Sequence, residues 1–390
     1  MRSETFKAEN VDEIVWLRFN RFKSVKLCED LIRKKLIKSP NPLITENIIK
    51  SKAIGLSSAI ESAIGYWDVN PRSLNAKILS RYYFLLQMTI AEQVSSVKNI
   101  DDLKVVQKHT ENGHGLGTII QPKIDFPFNY FTFAIRSGHF YSYAKYLGIN
   151  TKKFDFEKRP RNFSDIIDKT KIINLVDLFR RIPELSNVIE EYINEPPLCF
   201  HIGYSQAENH HGLDEMKEHI QKTGQLLFES PITSSEQTSY LEIYSESELV
   251  TPEYLKSLDL PMIDFKVKTD SYSHERSIIG KFVHPSDKYW HQYIKIYHSS
   301  YAPSSYIVPL WDEISDPVAI NFILLYTLSI IVRYLPDLWY RTNMGDLDHI
   351  GSLIEYYVSI VDHVLPLKML ERITEANISI HQPGSIFGPI

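Results

Sequence analysis

The chain has 390 residues, 43% of them hydrophobic and 23% charged, and a net charge of −5 from 43 basic and 48 acidic side chains. That balance excludes a globally basic nucleic-acid binder, and the 12% aromatic content excludes a disordered chain. The length allows two or three domains of about 150 residues each, while Cys28 and Cys199, the two cysteines, leave no disulfide framework and point to a reducing compartment.

The N-terminal MRSETFKAENVDE lacks the apolar core of a secretory signal, so a cytoplasmic protein is expected. To about residue 110 the pattern is helical. SVKLCEDLIRKKLIKS sets apolar residues at 25, 28, 31, 32 and 36 and stops before Pro40. TENIIKSKAIGLSSAIESAIGYW follows with Thr45 as its cap. Pro71 to Val97 is the longest of the three, and its apolar residues on almost every face place it in the core of a bundle.

The middle of the chain changes character. TIIQPKIDFPFNYFTFAIRSGHF is rich in β-formers, with prolines and a Ser-Gly turn. INLVDLFRRIPELSNVIEEYI reads as a helix interrupted at Pro183. LCFHIGY, TSYLEIYS and MIDFKVKT read as strands, with LDEMKEHIQKTG as a short helix ending at Gly224.

From Asp316 the helical pattern returns. DPVAINFILLYTLSIIVRYLPDLW opens with an Asp cap and a first-turn Pro, and breaks near Pro336. Its apolar run, 318–332, is shorter than the roughly 20 residues that span a bilayer. It also carries Asn321, Thr327 and Ser329, so a buried helix and no membrane span are expected. Leu347, Ile350, Ile354, Tyr357, Val361 and Leu365 then recur at helical spacing, and the tail NISIHQPGSIFGPI reads as irregular. The expected fold is α+β and predominantly helical. A helical N-terminal block (1–117) and a helical C-terminal block (311–390) flank a mixed α+β block (118–310).

Several motifs bear on chemistry. Gly113-His114-Gly115-Leu116-Gly117 frees the backbone to approach a phosphate, which makes Gly113, His114, Gly115 and Gly117 candidate ligand-binding residues. Its spacing is not the dinucleotide fingerprint, and a glycine turn that closes a helix explains it equally. His201, His210, His211 and His219 form a loose group. His211, Glu215 and His219 would share a helix face, but no zinc signature is present, and no metal or other cofactor is implied. The run Lys152, Lys153, Lys158, Arg159, Arg161, interleaved with Phe154 and Phe156, would suit a single strand held by charge and stacking, or a solvated loop diluted by Asp155 and Glu157.

Arg341 and His349 flank a helix start. This resembles the Arg-and-His pair of HEPN ribonucleases, which have four to six residues between them, whereas seven stand here; Arg276 and His284 are separated likewise, and Arg136 and His139 by two. Arg341 and His349 are therefore candidate catalytic residues of a divergent, metal-independent RNase. An exposed loop with a helix-capping Asp is the plainer reading. No nucleophile elbow, P-loop or paired-carboxylate signature is present to decide whether the chain is an enzyme.

Four segments taken in order resemble the YaaC-like proteins, an uncharacterised bacterial family. They are Tyr82-Tyr83, the Gly-His-Gly-Leu turn, Ile182-Pro183-Glu184, and the closing Ser329-Ile-Ile-Val-Arg333-Tyr334-Leu-Pro336-Asp-Leu-Trp339. The resemblance implies a cytoplasmic protein and no settled activity. By association only, it implies a place in stress or anti-phage defence. The leading expectation is a non-catalytic interaction or sensor protein, possible within a defence complex, with a protein partner or homo-oligomer burying the aromatic surplus. The alternatives are the RNase, with nucleic acid as its partner, and a nucleotide or small-ligand binder.

Overall fold

The computed structural model describes residues 2–68, 71–208, 236–269, 276–285, 287–299 and 301–381. Helix makes up 51% of the chain and strand 19%, which sets the class as α+β with a helical majority. In chain order the main elements begin with β1 (Arg2–Lys7), α1 (Val11–Arg21), α2 (Val25–Lys38), α3 (Glu46–Asp68), α4 (Leu74–Ser95) and α5 (Leu103–Glu111). Next come β2 (Leu116–Ile120), β3 (Tyr130–Ala134), α6 (His139–Tyr146), β4 (Ile172–Asn174), α7 (Leu175–Phe179) and α8 (Ile189–Ile193). There follow β5 (Cys199–Glu208), β6 (Glu236–Tyr244), α9 (Pro252–Ser257), β7 (Ile263–Thr269), β8 (Arg276–Pro285), β9 (Ile296–Tyr297) and β10 (Ser305–Ile307). The last are α10 (Pro317–Tyr334), α11 (Pro336–Met344), α12 (Asp348–Thr374) and β11 (Ala376–His381).

The chain forms two compact units, Met1–Phe179 with Pro309–Ile390, and Arg180–Val308. Residues 118–179, read above with the middle block, thus group with the helices.

In the first unit the helices start where local chemistry provides a cap. Ser24, Ser73, Asp102 and Asp316 each accept a hydrogen bond from an amide in the first turn that follows. The third helix accordingly begins after Ser73 and not at Pro71. α4 is buried along most of its length and packs against α3, α10 and α12. α10 is the other core helix, from Val318 to Ile331. Its length and composition would suffice to cross a membrane, and 72% of it is buried inside the protein. Pro336 ends α10 and is itself the first residue of α11.

Buried charge is compensated. The Arg372 guanidinium binds Glu92 at 2.9 Å and both oxygens of Asp316 at 2.9 and 2.8 Å, while the Tyr143 hydroxyl donates to Glu92 at 2.8 Å. This network ties α4, α6 and α12 to the cap of α10. Lys52, fully buried, directs its ammonium at Val94 O, Ser96 O, Asn99 Oδ1 and Asp101 O, at 2.6 to 3.4 Å. The long aliphatic stem of Lys52 crosses the core, and its charge knits α3 to the connection after α4.

Two sheets belong to this unit. β2, β3 and β4 make an antiparallel sheet. It is fixed to α10 by the Thr132–Thr327 hydroxyl pair at 2.7 Å and by Tyr326 donating to Leu116 O at 2.9 Å. The second sheet corrects the sequence reading at both ends of the chain. The segment expected to be irregular contains β11, which pairs in parallel with β1, Arg2 opposite Ala376 through Lys7 opposite His381. Ile378 and Ile380 alternate with Ser379 and His381, but each strand is short and finds its hydrogen-bond partner only at the other end of the chain.

The second unit is built on a six-stranded antiparallel sheet in the order β7-β8-β6-β5-β10-β9. The segments LCFHIGY, TSYLEIYS and MIDFKVKT fall on β5, β6 and β7. Phe200, Leu241, Ile243, Phe265, Ile278 and Phe282 lie in its core, with Leu255 of α9 among them. The helix expected between β5 and β6, with His210, His211 and His219, lies outside the described residues. INLVDLFRRIPELSNVIEEYI is not one interrupted helix. It comprises the end of β4, α7, a 3-10 turn at Pro183–Leu185, and α8. Cys28 and Cys199 are both buried and unpaired.

Candidate functional site

The glycine turn after α5 positions the site. α5 is capped by Asn112, and Gly115 has φ of +79°, where an L side chain is strained. A Cβ on Gly115 would also stand 2.8 Å from Ser137 O and 2.9 Å from Phe140 N. On Gly117 it would stand 2.4 Å from the Phe133 ring. Both glycines therefore serve close packing. The turn's carbonyls accept from the start of α6, His139 N to Gly113 O and Phe140 N to His114 O, each at 2.9 Å. Those amides are the groups a phosphate would need at that helix end, and the turn already occupies them. Of the four residues proposed from the glycine motif, His114 lines the cavity that forms here.

That cavity, in the first unit, has a volume of about 1010 Å³. His114 enters it from the turn, Thr118 and Ile120 from β2, Tyr130 from β3, and Tyr326, Ile330, Arg333 and Tyr334 from α10. Arg159, Arg161, Asn162 and Ser164 come from the loop after α6. Three arginines face it and, among the described residues, no Asp or Glu does. The Arg333 guanidinium is oriented by its own helix, Nε donating to Ser329 O at 3.0 Å and Nη2 to Ser329 Oγ at 3.2 Å. Arg159 and Arg161 have no side-chain hydrogen bond or ion pair among the described residues.

Electrostatics agree with that arrangement. His114 Nδ1 lies 2.7 Å from the hydroxyl of Tyr82, which is fully buried, so the tyrosine sets the orientation of the ring. Burial, then the Arg333 charge, pull the His114 pKa down and keep the imidazole neutral near pH 7. Burial raises Tyr326, and the nearby Arg159 and Arg333 charges oppose the rise. At the floor, the Tyr130 hydroxyl is buried with no hydrogen bond of good geometry among the described residues, Thr118 being within electrostatic reach.

Lys153 and the two phenylalanines of the basic run are engaged elsewhere. Lys153 pairs with Glu313. Phe154 is buried and stacks on Trp311 at 4.5 Å, and Phe156 meets Phe133 edge-on at 5.6 Å. Neither ring is available to stack on a base, and only the arginine end of the run reaches the cavity. Arg341 is held by Asp346 in a two-point ion pair at 2.8 and 2.6 Å, beside a second cavity of about 710 Å³. His349 is exposed in the first turn of α12 and does not line that cavity. The cap of α12 is Leu347, without a side-chain bond, in place of the expected Asp. Arg136 binds Asp155, and His139 is buried against Thr89 at 2.8 Å. Arg276 donates to Val250 O, and His284 meets Ser239 at 2.9 Å. His201 contacts Ser304 O at 2.8 Å. Among the described residues no group of three or more His, Cys, Asp or Glu is placed to hold a metal.

His114 and Arg333-Tyr334, from two of the four segments that carried the family resemblance, line this cavity, and Tyr82, from a third, stands behind His114 and bonds its ring. The pattern of the YaaC-like protein family matches residues 21–373. The chain belongs to the YaaC-like family. No curated protein and no solved structure matches it. The chemistry of this YaaC-like chain therefore has to be read from its own residues. Sequence reading left Arg159 and Arg161 between a grip on a single strand and a solvated loop. Arg333 holds a helix carbonyl, and it also faces the cavity.

Proposed function

We propose that this chain is a ligand-binding protein of sensor type, and that the Arg159–Arg161–Arg333 cleft takes a small organic anion. The observation that carries the reading is charge distribution. A chain with net charge −5 gathers three guanidiniums around one cavity, and none of the described carboxylates lines it. Arginines without protein counter-ions are ready-made partners for carboxylate or phosphate oxygens. Burial and neighbouring positive charge also hold His114 neutral, so it adds hydrogen bonding without charge. A reducing, cytoplasmic setting belongs to the same proposal and is supported by two buried, unpaired cysteines. The RNase alternative draws no support from Arg341, whose guanidinium is committed to Asp346.

Thermal unfolding at low salt, with and without citrate, pyrophosphate or ATP, tests the reading. A ligand that binds only the folded state at a hundred times its Kd stabilises it by about 2.7 kcal/mol. At least one anion should raise Tm in the native protein and fail to do so in the Arg159→Ala/Arg161→Ala/Arg333→Ala variant. An equal shift in both proteins, or none in either, would sink the proposal.

A further inference from the structure

The arginine cleft is larger than a bare oxyanion requires. Its volume of about 1010 Å³ is that of sites for organic molecules, which run to roughly 300–1,000 Å³. One wall is apolar and open to solvent, with Ile120 44% exposed and Tyr334 64% exposed, beside Leu335. Those three residues also line the adjoining cavity, where Asp125 and Asp337 stand and Asp346 is paired with Arg341. Carboxylates there disfavour a negative group, so an anionic ligand that follows the wall must keep its charge at the arginine end. Three guanidiniums exceed what one carboxylate can match. A phosphate ester brings a charge of about −1.5 to −2 and oxygens that accept bidentate guanidinium hydrogen bonds. Thr118, Asn162 and Ser164 add neutral polar groups on the same lining. Tyr334, with the Arg333 guanidinium 5.1 Å from its ring centre, offers a π-face to a planar group.

We propose that the ligand is a phosphate ester of nucleotide size, its phosphate held by Arg159, Arg161 and Arg333 and its planar part laid along Ile120, Tyr334 and Leu335. This rests on the anion-binding reading above and narrows it. The phosphate needs an approach by charge, and the planar part needs the exposed wall; neither half of the cleft explains the other.

Titration calorimetry of the full chain with ATP, AMP, adenosine, pyrophosphate and citrate tests it. ATP and AMP should bind. Adenosine and pyrophosphate, each carrying half of the contacts, should bind at least about tenfold more weakly than ATP, as should citrate. Arg333→Ala should weaken ATP by about ten- to a hundredfold, the range for hydrogen bonds to charged groups. Ile120→Asp, on an exposed position, should weaken ATP far more than pyrophosphate. Arg159→Ala at the exposed rim gives the same test if another variant fails to fold by circular dichroism. If citrate or pyrophosphate binds as tightly as ATP, the nucleotide inference fails and the anion site stands. If none of the five binds, both fail.

Discussion

His139 shows how a single buried side chain sets a property of the whole fold. It is fully buried, with Nε2 2.8 Å from the Thr89 hydroxyl, and burial, followed by the His114 and His109 charges, pulls its pKa down to about 3. In the unfolded chain a histidine takes its proton near pH 6.5. Below that pH the unfolded state binds a proton that the folded state refuses, so stability is present above about pH 6.5 and is lost as pH falls toward 3. One such group approaches about 1.4 kcal/mol per pH unit. His114, also pulled down, acts in the same direction. Urea unfolding between pH 7 and 5 should show this loss, and His139→Gln should flatten it. An unchanged slope would show that His139 is protonated in the folded protein.

Also at the residue scale, Arg372 and Glu92 form a pair that neither can leave cheaply. Burial opposes the Arg372 charge, but Tyr143, Asp316 and Glu92 outweigh it and raise its pKa. Arg372→Met would leave Glu92 buried without its guanidinium, at a cost of about 3–5 kcal/mol. Glu92→Gln added to Arg372→Met should recover part of the loss, since residues in one network are non-additive. Denaturant midpoints of the two single variants and the double variant measure that coupling. Additive losses would mean that Glu92 and Arg372 act independently.

At the scale of elements, the turn from α5 to β2 shows why a motif and its role come apart. The glycines at 113, 115 and 117 were legible as an unusual backbone, but their spacing could not say what approaches them. The structure answers with protein: the start of α6 and the Phe133 ring. Gly115→Ala should cost at least about 1 kcal/mol from left-handed strain alone, with more from the contact 2.8 Å from Ser137 O. Because the shift would carry His114 with it, the variant should also bind the cleft's anion more weakly. A Tm fall with unchanged anion affinity would separate the turn from the site. Helices read better than strands for a related reason. The caps at Ser24, Asp102 and Asp316 act within a few residues, so local sequence carries them.

At the scale of the whole molecule, the pairing of β1 with β11 joins segments that are far apart in sequence. Phe6 of β1 is buried, and the Arg18 guanidinium stands 3.9 Å from its ring centre. Removing residues 1–7 should strip β11 of its hydrogen-bond partner and lower Tm. Amide exchange at Ile378 and Ile380 should then speed up while α10 stays protected. Unaltered protection across 376–381 would show that β11 holds without β1.

By itself the sequence determined the class of the fold, the starts of α2 and α10, the strands LCFHIGY, TSYLEIYS and MIDFKVKT, and membership of the family. Each of these rests on periodicity, on caps a few residues away, or on a linear order of segments. Tertiary structure decided the β1–β11 pair, the tasks of the glycines, and the gathering of His114, Arg159, Arg161 and Arg333 at one cavity, with Tyr82 behind the histidine. An arginine's role depends on whether a carboxylate stands beside it. Asp346 is beside Arg341 and, among the described residues, no carboxylate lines the cleft of Arg333, a difference that exists only once distant segments meet.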